Sequence, residues 1–159
     1  MNKPSALKIV TYIVLAFVFF FLGYYRNNVF VALNERMSCL YWHSAYPPLT
    51  GPLSIFESSS YSTLIVVKWI FTFGFTFVFA LISAYTLRTI YGNWSYTKVC
   101  FAVYGAVFAV SLLFMVADRV IPGFNVHGYN IARNIMHLAQ SPILAGIMLL
   151  GIYVYQKQQ

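Results

Sequence analysis

Four apolar runs divide the chain: Leu7 to Tyr25, Leu64 to Leu87, Val99 to Ala117 and Ile131 to Tyr155. Each reaches the roughly 20 residues with which a helix crosses about 30 Å of hydrocarbon, so the pattern predicts four transmembrane helices. Inside the second run, Phe71-Thr72-Phe73-Gly74-Phe75-Thr76-Phe77 alternates as a strand would. An isolated strand leaves its backbone groups unpaired in lipid and a helix does not, which decides for the helix. On that helix Lys68, Thr72, Thr76, Ala80, Ser83 and Thr86 share a face of polar and small side chains. Lys68 lies about one turn inside, close enough to the surface to snorkel or to meet an acid of the outer loops.

The longest connection, Arg26 to Tyr61, has its own periodicity. Val29, Phe30, Leu33, Met37, Leu40 and Tyr41 fall within an arc of about 120° at helical spacing, opposite Glu35, Ser38 and Cys39. This predicts an amphipathic helix on the outer surface, with Tyr41 and Trp42 at headgroup level. Pro47, Pro48 and Pro52 end it, because proline lacks the amide donor and fixes φ. The remaining loop is expected to fold back over the helix ends, and a serine among Ser58 to Ser60 to cap the second span. In the third span, Ala102, Gly105, Ala106 and Ala109 recur at intervals that admit a neighbouring backbone. The expectation is an all-α polytopic membrane protein, a single domain of four transmembrane helices plus an amphipathic outer-surface helix.

The fourth run departs from the others because its first half carries Asn130, Arg133, Asn134, His137, Gln140 and Ser141 within about 120° of one face. Pro142 follows; it removes the amide that would bond the carbonyl of Leu138 and disfavours α geometry at Ser141, so a kink is expected there. Such a stripe admits two readings. Its groups bond across the bundle as structural glue, or Arg133, Asn134 and His137 form a pocket for a carboxylate, a lipid headgroup or a partner side chain.

Composition sharpens the class and removes others. Charged residues make up 8% of the 159 residues, far below the roughly 25% usual in soluble domains, which places the chain in a membrane. The net charge of +7 does not point to nucleic acid, since the basic residues stand singly at segment ends, where they meet headgroups. The first run lacks a small-x-small cleavage site and is read as a retained helix. With that start inside, Lys3, Lys8, Arg88, Lys98 and Lys157 fall on the cytoplasmic side. Arg26, Arg36, Arg119, Arg133 and Lys68 fall outside, with the acids Glu35, Glu57 and Asp118. The expected orientation has both termini inside.

Cys39 and Cys100 fall on opposite sides of the bilayer, too far apart to pair, and no metal-type Cys/His spacing occurs. Cys39, His43, His127, His137 and Arg133 share the outer side, which leaves open an enzyme with a Cys/His/Arg site. With only His137 clearly inside a span, haem ligation is not expected, nor any other cofactor or metal. Asp118-Arg119 reads as a helix-end pair or as an orienter for Arg133.

One resemblance covers the whole architecture. The basic first helix, Tyr25-Arg26 followed by Val29-Phe30, the short later spans, Arg133 opening the last helix, Gln140-Ser141-Pro142 within it and the Tyr155-Gln156-Lys157 tail resemble the small four-helix membrane proteins associated with bacterial exosortases. Exosortases are longer membrane transpeptidases that process C-terminal sorting signals with Cys, Arg and His. The resemblance implies a non-catalytic accessory subunit in the bacterial inner membrane, partnering such an enzyme, with Arg26, Arg133 and Pro142 as matching positions and no catalytic duty for them. Arg26, Lys68, Asp118, Arg133, Asn134, His137 and Gln140 are the candidate binding or interaction residues. A lipid- or solute-binding membrane protein stands as a further alternative.

Overall fold

Between Ala6 and Trp42 there is no proline, and Gly23 is the sole glycine, so nothing local ends a helix once begun. In the computed structural model, which describes residues 6–45, 48–121 and 127–158 (residues 6–8, 119 and 127 by their backbone alone), this stretch is one helix, α1 (Ala6–Trp42). At 1.5 Å per residue it is about 55 Å long, more than a bilayer with its headgroups. The amphipathic stretch 28–42 is therefore helical as its periodicity requires, but it is the continuation of the first span and not a separate surface helix. One inward stripe runs the whole length, through Leu15, Phe19, Arg26, Val29, Phe30, Leu33 and Arg36, all buried.

A 3-10 turn, Gly51–Phe56, begins with proline in its first turn and lays Leu49 and Leu53 into a cluster with Val29, Phe30, Leu33, Leu64, Val67 and Phe75. The loop thus folds back over the helix ends, and Arg36 Nη2 fixes it by donating to the carbonyl of Glu57. Ser60 then caps α2 (Tyr61–Tyr91), its hydroxyl accepting from the amide of Thr63 at 3.3 Å. Gly92, at φ 68°, takes the left-handed conformation that closes α2, and Asn93 caps α3 (Trp94–Val120) by accepting from Ser95. The expected outer connection 122–126, like Lys3 and the Tyr46-Pro47 pair, lies outside the described residues.

The last apolar run is broken as its proline demands. α4 (His127–Ala139) and α5 (Pro142–Gln158) meet at 65°. The carbonyl of Leu138, deprived of an amide by Pro142, is taken by Ser141, whose backbone amide donates at 3.2 Å and whose hydroxyl donates at 2.8 Å. Three helices, α1, α2 and α3, are long and apolar enough to cross a membrane, and the count rises to four where the bent pair of α4 and α5 is taken as one span. Large apolar side chains such as Phe17, Phe20 and Leu113 stand more than 60% exposed, which suits a surface that meets lipid. All regular elements among the described residues are helical.

α5 anchors in a second cluster with Phe19, Phe79, Ala84, Leu87, Cys100 and Tyr104, through Leu144, Ala145, Met148 and Ile152. The threonine stripe of α2 does face inward, with Thr76, Ser83 and Thr86 buried. The small-residue stripe of α3 does not: Ala102, Gly105, Ala106 and Ala109 are exposed, and a Cβ at Gly105 would meet nothing within 4 Å. α3 instead turns Cys100, Tyr104 and Ser111 inward, because those positions carry the hydrogen bonds. The Tyr104 hydroxyl pairs with Ser83 Oγ at 2.9 Å, and Ser111 Oγ donates to the carbonyl of Ala132 at 3.0 Å.

α3 packs most closely on α4, and small residues of α4 make that possible. A Cβ on Gly128 would lie 2.7 Å from the carbonyl oxygen of Phe114 and 2.9 Å from Cβ of Asp118. Gly128, Ala132, Met136 and Ala139 form the buried face that seats the helix, and the polar stripe is left to look elsewhere.

Candidate binding site

Arg26 sits at a position where the stripe of α1 calls for an apolar side chain, four residues after Leu22 and three before Val29. Sequence reasoning put it just beyond the first span; α1 carries it inside the bundle, 8% exposed, between the two apolar clusters. A buried guanidinium needs partners in proportion to the hydration it loses. Arg26 Nε donates to Gln140 Oε1 at 2.9 Å, and Nη2 lies 2.9 Å from His137 Nδ1. The guanidinium carbon stands 4.7 Å from the centre of the Phe30 ring, a cation–π contact that partly replaces water.

Gln140 completes the layer. Its Nε2 donates to the carbonyl of Thr72 at 2.9 Å and to Thr76 Oγ1 at 3.0 Å. The helix break places this side chain where it reaches α1 and α2 together. Thr72 and Thr76 return their own hydroxyl protons to the carbonyls of Lys68 and Thr72, so they offer acceptors to Gln140 without leaving donors unpaired.

This layer floors a cavity of about 660 Å³ enclosed by α1, α2, α3 and α4. From Tyr61 at its rim to Thr72 at its floor, α2 covers eleven residues, a depth of about 16 Å. Lys68 enters from α2 and donates to Asn34 Oδ1 of α1 at 2.7 Å. Arg133 and His137 enter from α4 and Asp118 from α3. The rest of the wall combines the hydroxyl-bearing Tyr61, Ser111 and Tyr129 with the apolar or aromatic side chains of Phe30, Met37, Ile65, Trp69, Met115 and Met136.

The cavity is electropositive. Arg26, Lys68 and Arg133 face one carboxylate, Asp118, which leaves two positive charges when His137 is neutral. Among the described residues Arg26, Lys68 and Arg133 form no ion pair. Asp118 Oδ1 is itself buried with no hydrogen-bond partner among those residues. Arg133 is exposed and free of hydrogen bonds in the same set. Uncompensated cations in a partly apolar cleft concentrate field and attract an anion.

Of the residues singled out from sequence, Arg26, Lys68, Asp118, Arg133, His137 and Gln140 line this one cavity. Asn134 does not; it is exposed on α4 away from the lining. Asn34, Thr72, Ser111, Tyr129 and the methionines had not been singled out as site residues. The inward stripe of α1, read through Arg26 to Phe30, Asn34 and Met37 at helical spacing, was the available signal for its contribution.

Cys39 is half-buried on α1 and lines no part of the cavity, and Cys100 is buried at the other end, its Sγ 3.7 Å from the carbonyl of Ala80. Both thiols are free. The side chain of His127 lies outside the described residues, and His43 stands exposed beyond the end of α1 at φ 51°. No group of three His, Cys, Asp or Glu suited to a metal occurs among the described residues. No family model, no curated protein and no solved structure matches the chain.

Proposed function

We propose that this chain is a non-catalytic accessory subunit of a membrane assembly that holds an anionic group in the cavity between α1, α2, α3 and α4. The observation that carries this role is the unpaired charge of Arg26, Lys68 and Arg133 around one shared space. A stripe serving only as interhelical glue would spend its groups on one another, as Gln140 does; Arg133 is spent on nothing among the described residues. Against a Cys/His/Arg reaction stands the position of Cys39, which lines no part of the cavity that His137 and Arg133 share. A thiolate must touch its base and its electrophile to react.

The assembly in this proposal is a protein-sorting one, with an exosortase-type enzyme as partner in the bacterial inner membrane and both termini inside. Its support is the sequence resemblance and, for the orientation, Lys3 and Lys8 at the start of the first span. The test is extraction of native membranes in mild detergent followed by affinity isolation of the chain. A second membrane protein in fixed proportion, identified as a transpeptidase, is the expected result. A chain that runs alone under every mild extraction removes the accessory role.

A further inference from the structure

We infer that the anion held in the cavity is the phosphate headgroup of an acidic phospholipid that enters sideways from the bilayer. The inference rests on the cavity being an anion site and adds the chemical class of its occupant.

The shape of the bundle supplies the entry. α1 packs on α2 and α5, and α4 on α3, but α1 and α4 are not a closely packed pair. What joins them is the bridge from Arg26 to His137 and Gln140. On the Tyr61 side of that bridge the exposed lining residues are Asn34 of α1, Tyr61 of α2, and Tyr129, Arg133 and His137 of α4. They edge a seam between helices whose outer surfaces are apolar enough for lipid. A molecule already in the bilayer reaches the cavity through this seam without crossing a packed interface.

The donor set selects the head. Lys68 and Arg133 are donors only. His137 Nδ1 is engaged by an arginine, so its remaining ring nitrogen is an N–H donor as well. Acceptor-only groups are few: Asn34 Oδ1 is used by Lys68, Asp118 is the single carboxylate, and the hydroxyls of Tyr61, Ser111 and Tyr129 donate as well as accept. A peptide would bring amide donors that need acceptors. A phosphodiester brings oxygens and no N–H, which matches a wall of donors. The walls select the tail: Met37, Met115 and Met136 with Ile65 and Trp69 offer an adaptable apolar surface beside the cations. A volume of about 660 Å³ holds a headgroup and the start of its chains, the remainder lying in the seam and the bilayer.

The test uses the full-length chain reconstituted in nanodiscs containing phosphatidylcholine and phosphatidylglycerol in equal amounts, re-extracted gently, with retained lipid read by native mass spectrometry. Phosphatidylglycerol should be retained over phosphatidylcholine. The double variant Lys68→Gln, Arg133→Gln should lower that preference about tenfold or more, as expected for two lost charge-assisted bonds. Arg88→Gln should leave it unchanged, since that guanidinium lies over the Trp94 ring, 4.1 Å from its centre, at the opposite end of the bundle. Inorganic phosphate in excess should fail to displace the lipid; displacement by phosphate alone, or retention of both lipids equally by the folded protein, overturns the inference. Neither outcome bears on whether a protein partner co-purifies, so loss of the lipid site and loss of the accessory role are told apart.

Discussion

Arg26 Nη2 and His137 Nδ1 lie 2.9 Å apart, and an arginine can only donate. His137 Nδ1 is therefore the acceptor and the imidazole carries its proton on Nε2. Nitrogen-15 shifts of the labelled ring will show the Nε2–H tautomer in the native chain. In Arg26→Leu the ring loses this constraint and the shifts should move toward a mixture of tautomers. A wild-type ring protonated on Nδ1 would refute the contact.

Gln140 joins α1 and α2 to the helix break through three hydrogen bonds. Interhelical bonds in membranes average about 0.6 kcal/mol, so Gln140→Leu should cost about 2 kcal/mol. Gln140→Glu keeps an acceptor for Arg26 Nε and loses the donors to Thr72 and Thr76, which predicts a smaller loss. Reversible unfolding in mixed micelles ranks the two variants, and equal loss in both would show that the Arg26 bond contributes little.

Gly128 and Gly105 make an internal comparison. At Gly128 an added methyl collides with the Phe114 carbonyl at 2.7 Å, and backbone cannot rotate away, so Gly128→Ala should destabilise by about 1–3 kcal/mol. At Gly105 the same methyl meets open space, and Gly105→Ala should be neutral or stabilise by up to about 1 kcal/mol through helix propensity. The same unfolding measurement reads both.

Pro142→Ala restores the missing amide at the bend. The helix should open from its 65° break toward a straighter rod and draw Gln140 away from Thr72. Spin labels at Ile131 and Leu150, both exposed, will report a longer separation in the variant. An unchanged distance would mean that Ser141 and Gln140 hold the bend without the proline.

The two thiols differ in reach. Cys100 is fully buried and bonded to the Ala80 carbonyl, while Cys39 is half-buried. A maleimide should label Cys39 in the folded protein and Cys100 only after denaturation. An impermeant maleimide applied to intact spheroplasts tests the proposed orientation, in which Cys39 is labelled from outside.

Much of the fold was legible because lipid leaves few choices. Length and hydropathy fix a helix at each apolar run, and Ser60, Gly92, Asn93 and Pro142 mark ends and bends by local chemistry that does not depend on neighbours. What was hidden depended on packing. Residues 28–42 carry a pattern that suits equally a surface helix and the extension of a span, and only the absence of a breaker near Arg26 separates them. That one continuity moves Arg26 from the headgroup level into the interior. The alanines of α3 had the spacing of an interface, yet spacing does not say which side a neighbour occupies, and the neighbour lies along Tyr104 and Ser111. The polar stripe of α4 was readable as a cluster, with Arg133, His137 and Gln140 on the cavity, while Asn134, one residue along, turned out to belong to the exposed surface. The Arg26 bridge spans 111 positions in sequence from His137, and no local pattern announces such a partner.

The break at Gln140 and Ser141 has a mechanical meaning. α4 forms a wall of the cavity, whereas α5 is seated in the distant cluster around Phe79 and Leu87. A continuous rod would force both halves to one tilt, so that seating α4 along the cavity would lift α5 out of the far cluster. With the rod cut at its middle, each half has its own seat: α4 lies on α3, where Ser111 bonds the Ala132 carbonyl, and α5 stays in the far cluster.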